Sequence, residues 1–213
     1  MLKENKKIAR MAGVWYLGDI VILIFSYMFV DAKLLVSGDA AASLSNINAN
    51  KPLFYIGCAA FLIGYICMIM SALMLMKLFK QVDSKQATLI PVLLMIGVVI
   101  VFIGKALELN AAVTQNASLL ALRENIDMSA EIFWGLWLVP IGLLILKSKL
   151  MPKFVGISLI IACLSHLMAF AVFFFAPDLF ANTETVIYAL GIGEFVLVAW
   201  LLIKGVKKEN IQI

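Results

Sequence analysis

Six stretches of this chain, at about 8–30, 52–78, 88–112, 131–147, 154–176 and 186–205, are apolar for long enough to cross a bilayer. A helix rises about 1.5 Å per residue, so a hydrocarbon core about 30 Å thick takes roughly 20 residues. Inside that core each backbone N–H and C=O must be satisfied within the segment, and for isolated apolar runs the solution is an α-helix. Composition points the same way. Of 213 residues 64% are hydrophobic and 14% charged, with a mean hydropathy of +1.05, against roughly 45–50% and 25% in soluble domains. The longest gaps, 31–51 and 113–130, are too short to hold a separate soluble domain. The sequence therefore predicts an all-α integral membrane bundle of six transmembrane helices, forming a single domain over 1–213.

The first run follows a short basic segment, like the start of a signal peptide. It is longer than the 7–15 residues of a typical signal core and contains Asp19, so it reads as a retained span. The N-terminal segment contributes Lys3, Lys6, Lys7 and Arg10. Lys77, Lys80 and Lys85, then Lys147, Lys149 and Lys153, and finally Lys204, Lys207 and Lys208 fall on the same side of an alternating topology. Only Lys33, Lys51 and Arg123 fall on the other. By the positive-inside rule both termini are expected in the cytoplasm. The net charge of +4 is then an orientation signal. Nucleic acid is not an expected partner, because the basic residues lie in short flanks without interleaved aromatics.

Local signals refine the outline. Asp39 reads as the N-cap of a short Ala-rich helix running toward Asn50, and Pro52 suits the first turn of span two. Pro140 predicts a kink in span four. Glycines spaced by seven (Gly57/Gly64, Gly97/Gly104, Gly135/Gly142) repeat on one helix face and predict close helix packing. The methionines of span two and the buried-type Cys58, Cys67 and Cys163 read as apolar filler. Pro52-Leu53-Phe54-Tyr55-Ile56-Gly57 and Pro152-Lys153-Phe154-Val155-Gly156 are too short a match to establish an inverted repeat.

Against this apolar background six ionisable residues stand out: Asp19, Lys105, Glu108, Glu131, His166 and Glu194. A charge at membrane depth costs about 2.5–3.5 kcal/mol on insertion scales, so each calls for a reason. From a rise of about 1.5 Å per residue, Asp19 lies roughly 13 Å past Arg10, and His166 about 18 Å past Phe154. Lys105 and Glu108, three apart, share a helix face and can neutralise each other. Glu131 reads as a first-turn acid at a wet helix start. His166 can bridge to a neighbouring helix. Glu194, beside Gly193 and Gly191, and Asp19 have the weakest structural explanations, since a buried carboxyl must be protonated, paired or hydrated. Five of the six fall at or outside the midplane in this topology, where they are able to line one outward-facing polar cavity.

Several chemistries lack their residues. One histidine is too few for the usual catalytic zinc site, and no Glu-x-x-His pair supports a di-metal centre. Nucleophile-elbow, P-loop and dinucleotide fingerprints are absent. No catalytic residues are identified, an intramembrane enzyme acting on lipid or quinone is the third and lesser alternative, and no metal or cofactor is expected.

Four segments resemble the bacterial DUF4386 membrane proteins: Arg10-Met11-Ala12-Gly13-Val14-Trp15-Tyr16-Leu17; Gly38-Asp39-Ala40-Ala41; the turn from Gly142 through Lys147-Ser148-Lys149-Leu150-Met151-Pro152 to Gly156; and Gly193-Glu194 with Trp200 to Val206. The resemblance runs nearly end to end, and the 113–130 segment is short for the pattern. It implies a six-span protein of the bacterial plasma membrane and places Asp39 and Glu194 in the family pattern. It supplies no activity. The expectation is a transporter of a small molecule or ion, or a ligand-binding membrane protein. The alternative is a non-catalytic scaffold or complex subunit whose buried polar residues join helices.

Overall fold

The computed structural model describes residues 2–148 and 150–207. Lys149 and Lys208 of the basic flanks lie outside the described residues. Among the described residues helix is the dominant structure and there is no strand. Six segments are long and apolar enough to span a membrane: Lys3–Leu34, Lys51–Phe79, Ser84–Thr114, Ser118–Ser148, Lys153–Phe175 and Thr185–Ile203. Most of the helices outrun the apolar runs by a few residues, because polar residues such as Ser84 and Lys85 continue a helix into solvent. The 84–114 helix starts at an Asp83 cap. Its carboxylate accepts from the Gln86 N–H at 3.1 Å and from Lys147 Nζ at 2.8 Å. The Lys147 bond holds this carboxyl below the usual carboxylate range.

Two segments depart from a simple loop-and-span picture. The 113–130 gap, expected as a loop, holds a helix, Ser118–Ser129, that leads toward the next span. The fourth span is interrupted at Trp137, between Glu131–Leu136 and Leu138–Ser148. This break lies one turn before Pro140, in the turn where a proline ring crowds the carbonyl four residues earlier and a kink is expected. The last span is also divided, at Ile192, between Phe180–Gly191 and Gly193–Ile203.

The chain forms two compact units, each drawn from separated parts of the sequence: 1–17, 69–97 and 131–213 in one, 18–68 and 98–130 in the other. In the first, the Lys153–Phe175 helix is the hub, packed by Glu131–Leu136, Leu138–Ser148, Phe180–Gly191 and Gly193–Ile203. Glycines permit this crowding. A Cβ on Gly142 would meet the Gly156 carbonyl at 2.8 Å, and one on Gly135 would meet the Cys163 carbonyl at 2.9 Å. The seven-residue spacing thus does place Gly135 and Gly142 against one partner helix.

In the second unit the helix Ala40–Ala49 packs on Ser118–Ser129. Asp39 caps the former through Ala42 N at 2.9 Å. Leu44, Ile47, Phe54, Ala111 and Leu120 close a core with Val30 and Leu34. Here the first helix widens into a π-helical stretch, Phe25–Asp31. Such insertions shift the register of side chains and often mark functional sites.

Candidate functional site

The six residues singled out above divide between the two units. Glu131, His166 and Glu194 meet in the first. Lys105 and Glu108 pair in the second, which also holds Asp19, buried within the Leu2–Ile24 helix.

In the first unit His166 projects from the middle of the hub helix. Its Nδ1 lies 2.7 Å from Glu131 Oε2 and its Nε2 lies 3.1 Å from Glu194 Oε1. Tyr16 donates its hydroxyl to the other oxygen of Glu194. The Tyr16 ring is buried beside Trp137, with centroids 5.6 Å apart. Both acids sit where a helix begins anew. Glu131 opens Glu131–Leu136, and Glu194 stands in the first turn of Gly193–Ile203, where the positive end of the helix dipole favours a carboxylate. Gly193 makes the Glu194 position possible, because a Cβ there would land on the backbone carbonyl of Ser158. Glu131 is therefore more than a wet helix start. It is one arm of a three-residue bridge.

The chemistry of that bridge follows from proton counting. Each ring nitrogen faces a carboxylate oxygen. An imidazolium donates to both, whereas a neutral imidazole donates to one and turns a lone pair to the other, which is satisfied only if that acid holds the proton. One proton thus has three places to sit, linked by hydrogen bonds of 2.7 and 3.1 Å. The His166, Glu131 and Glu194 side chains are 21%, 24% and 20% exposed, so the bridge is not sealed within protein. The acids flank the ring on its two nitrogens and do not converge on a point, and among the described residues no metal-holding group of His, Cys, Asp or Glu is formed.

The second unit holds a denser set. Lys105 Nζ is 2.7 Å from Glu108 Oε2, the i,i+3 pair expected from sequence. That pair is part of something larger. Arg123 reaches Asp31 at 3.0 Å through Nη2, and through Nε it approaches Glu108 at 3.2 Å and Asp127 at 2.8 Å. Lys105 is also 4.0 Å from Asp31 and lies over the Phe61 ring, 4.8 Å from its centroid. Glu108 is 1% and Arg123 9% exposed. Three acids against two cations leave one excess negative charge in a buried place. Gly104 makes room for it, since a Cβ there would strike the Asp127 carboxylate.

Sequence reasoning missed Asp31, Arg123 and Asp127. The i,i+4 spacing of Arg123 and Asp127 was the available signal. A cleft of about 310 Å³ opens beside this network, lined by Asp31, Arg123, Glu124, Ser37 and the apolar Leu35 and Leu120, among others.

Six helices long and apolar enough to span, with charges paired between helices, define a multi-pass integral membrane protein. The chain belongs to the DUF4386 family, whose model, described as a domain of unknown function, matches residues 11–205. No curated protein and no solved structure matches it.

Proposed function

We propose that this protein moves or binds a small molecule or ion in the membrane and that the His166 bridge exchanges a proton in the process. The observation that carries the reading is a single imidazole with a carboxylate on each ring nitrogen, at 2.7 and 3.1 Å. Intramembrane acids and histidines of this kind serve as proton relays in pumps and transporters. The helix breaks at Trp137 and Ile192 add support, because discontinuous helices line the sites of many transporters. The distribution of lysine and arginine supports both termini in the cytoplasm, and the family resemblance points to a bacterial plasma membrane.

The test uses purified protein in liposomes with trapped pyranine, challenged in turn with gradients of Na⁺ and K⁺ and read against protein-free liposomes. The wild type should change the luminal pH under at least one gradient. Glu194→Gln keeps an acceptor for Tyr16 but cannot take a proton, and its initial rate should fall by at least about 100-fold, the low edge of what a lost proton-transfer group costs. No response in the wild type, or an unchanged rate in E194Q at equal incorporation, contradicts the proposal.

A further inference from the structure

The cleft in the second unit has a chemistry of its own, which does not depend on proton exchange at His166. Asp31 and Glu124 line it, with Arg123 between them in sequence and in charge. Arg123 does not make it an anion site. Three carboxylates, of Asp31, Glu108 and Asp127, already stand within 3.2 Å of its Nη2 and Nε and outnumber its one charge. Adding Lys105 behind and Glu124 at the edge, the local balance is four acids against two bases. A second anion would enter a negative potential, whereas a monovalent cation offsets part of it.

The unused acceptors point the same way. Among the described residues the ion pairs to Asp31 are all made by Oδ2, and Ser37 Oγ donates to Glu124 Oε1 at 2.9 Å. Asp31 Oδ1 and Glu124 Oε2 are therefore left to accept from a ligand. An ammonium group carries three N–H donors and no acceptor, which suits such a wall. Leu35 and Leu120 give the other part of the lining an apolar character suited to a short alkyl chain. At about 310 Å³ the cleft holds roughly ten waters' share of liquid volume, enough for a small molecule.

Its rim is prebuilt. Ser43 Oγ accepts from Val36 N at 2.8 Å and lies 2.8 Å from the Asp39 carbonyl, and Asp39 N donates to Val36 O at 3.0 Å. Gly38 turns the chain at φ +74°, with open space around it. The Gly38-Asp39 motif noted in the sequence thus shapes the mouth of this cleft.

We propose that this cleft is a binding site for a small organic monocation, a primary amine with a short alkyl chain. The experiment measures thermal unfolding of the full chain in detergent against n-butylammonium chloride, with sodium butyrate, 1-butanol and NaCl as controls at matched ionic strength. n-Butylammonium should stabilise saturably at millimolar concentration and the three controls should not. Glu124→Gln should raise the apparent Kd at least tenfold, and Ala121→Phe, which fills the cleft from an exposed position on its wall, should remove saturable stabilisation. The proposal is overturned if n-butylammonium gives no saturable effect, if butyrate stabilises as well, or if both variants keep the wild-type Kd.

Discussion

Replacing Arg123 with Met should destabilise the protein by about 3–5 kcal/mol, the cost of breaking a buried ion-pair network by removing one partner. The substitution removes no large volume. It leaves Asp31, Glu108 and Asp127 with Lys105 as their remaining cation, and Glu108 is 1% exposed. Arg123→Lys should recover only part of the loss, because an ammonium cannot span three carboxylates as a planar guanidinium does. Adding Glu108→Gln to R123M should restore stability by more than E108Q alone would suggest, a coupling that a double-mutant cycle isolates. Thermal and denaturant unfolding in detergent checks this. If R123M unfolds with the wild type, the network contributes nothing.

The second large effect is expected at Gly193. A Cβ there would fall on the Ser158 carbonyl, part of the backbone of the hub helix, so the Gly193–Ile203 helix must move outward. Overpacking of this kind costs about 1–3 kcal/mol or more. Glu194 would move with the helix and lose its place at 3.1 Å from His166. Gly191→Ala is the control. Its Cβ would lie 3.5 Å from Ser165 Oγ, an ordinary contact, so it should be tolerated. Melting curves of the two variants side by side decide the matter. Equal stability of G193A and G191A would contradict the close approach.

How much of this was readable from sequence depends on the range of the interaction. The six spans follow from apolar runs, and the Lys105–Glu108 pair from i,i+3 spacing on one helix, because both are local properties. The Asp39 cap and the break before Pro140 are local too. The helix at Ser118–Ser129 was hidden because Arg123, Glu124, Asn125 and Asp127 lower its hydropathy. Arg123 accordingly looked like a loop charge. Its burial is a tertiary fact, created by Asp31, 92 residues away. Asp31 in turn takes its position from the π-helical stretch Phe25–Asp31, an insertion with no sequence signature.

The His166 site was half legible. His166 and Glu194 drew attention through the cost of polar groups in lipid. Their partnership depends on how Gly135 and Gly193 let two helices onto the hub, and Tyr16 arrives from the other end of the chain. Glu131, with an interfacial role sufficient to explain it, gave no sign of the second arm.

The central claim is the bridge itself, and the chain offers a clean probe because it contains one histidine. In protein labelled with ¹⁵N-histidine, solid-state NMR in lipid reports both ring nitrogens of His166 alone. The bridge predicts that Glu131→Gln shifts chiefly the Nδ1 signal, that Glu194→Gln shifts chiefly the Nε2 signal, and that both wild-type nitrogens show the signature of hydrogen bonds to carboxylates. Spectra indifferent to both substitutions, matching a free imidazole in water, would contradict it.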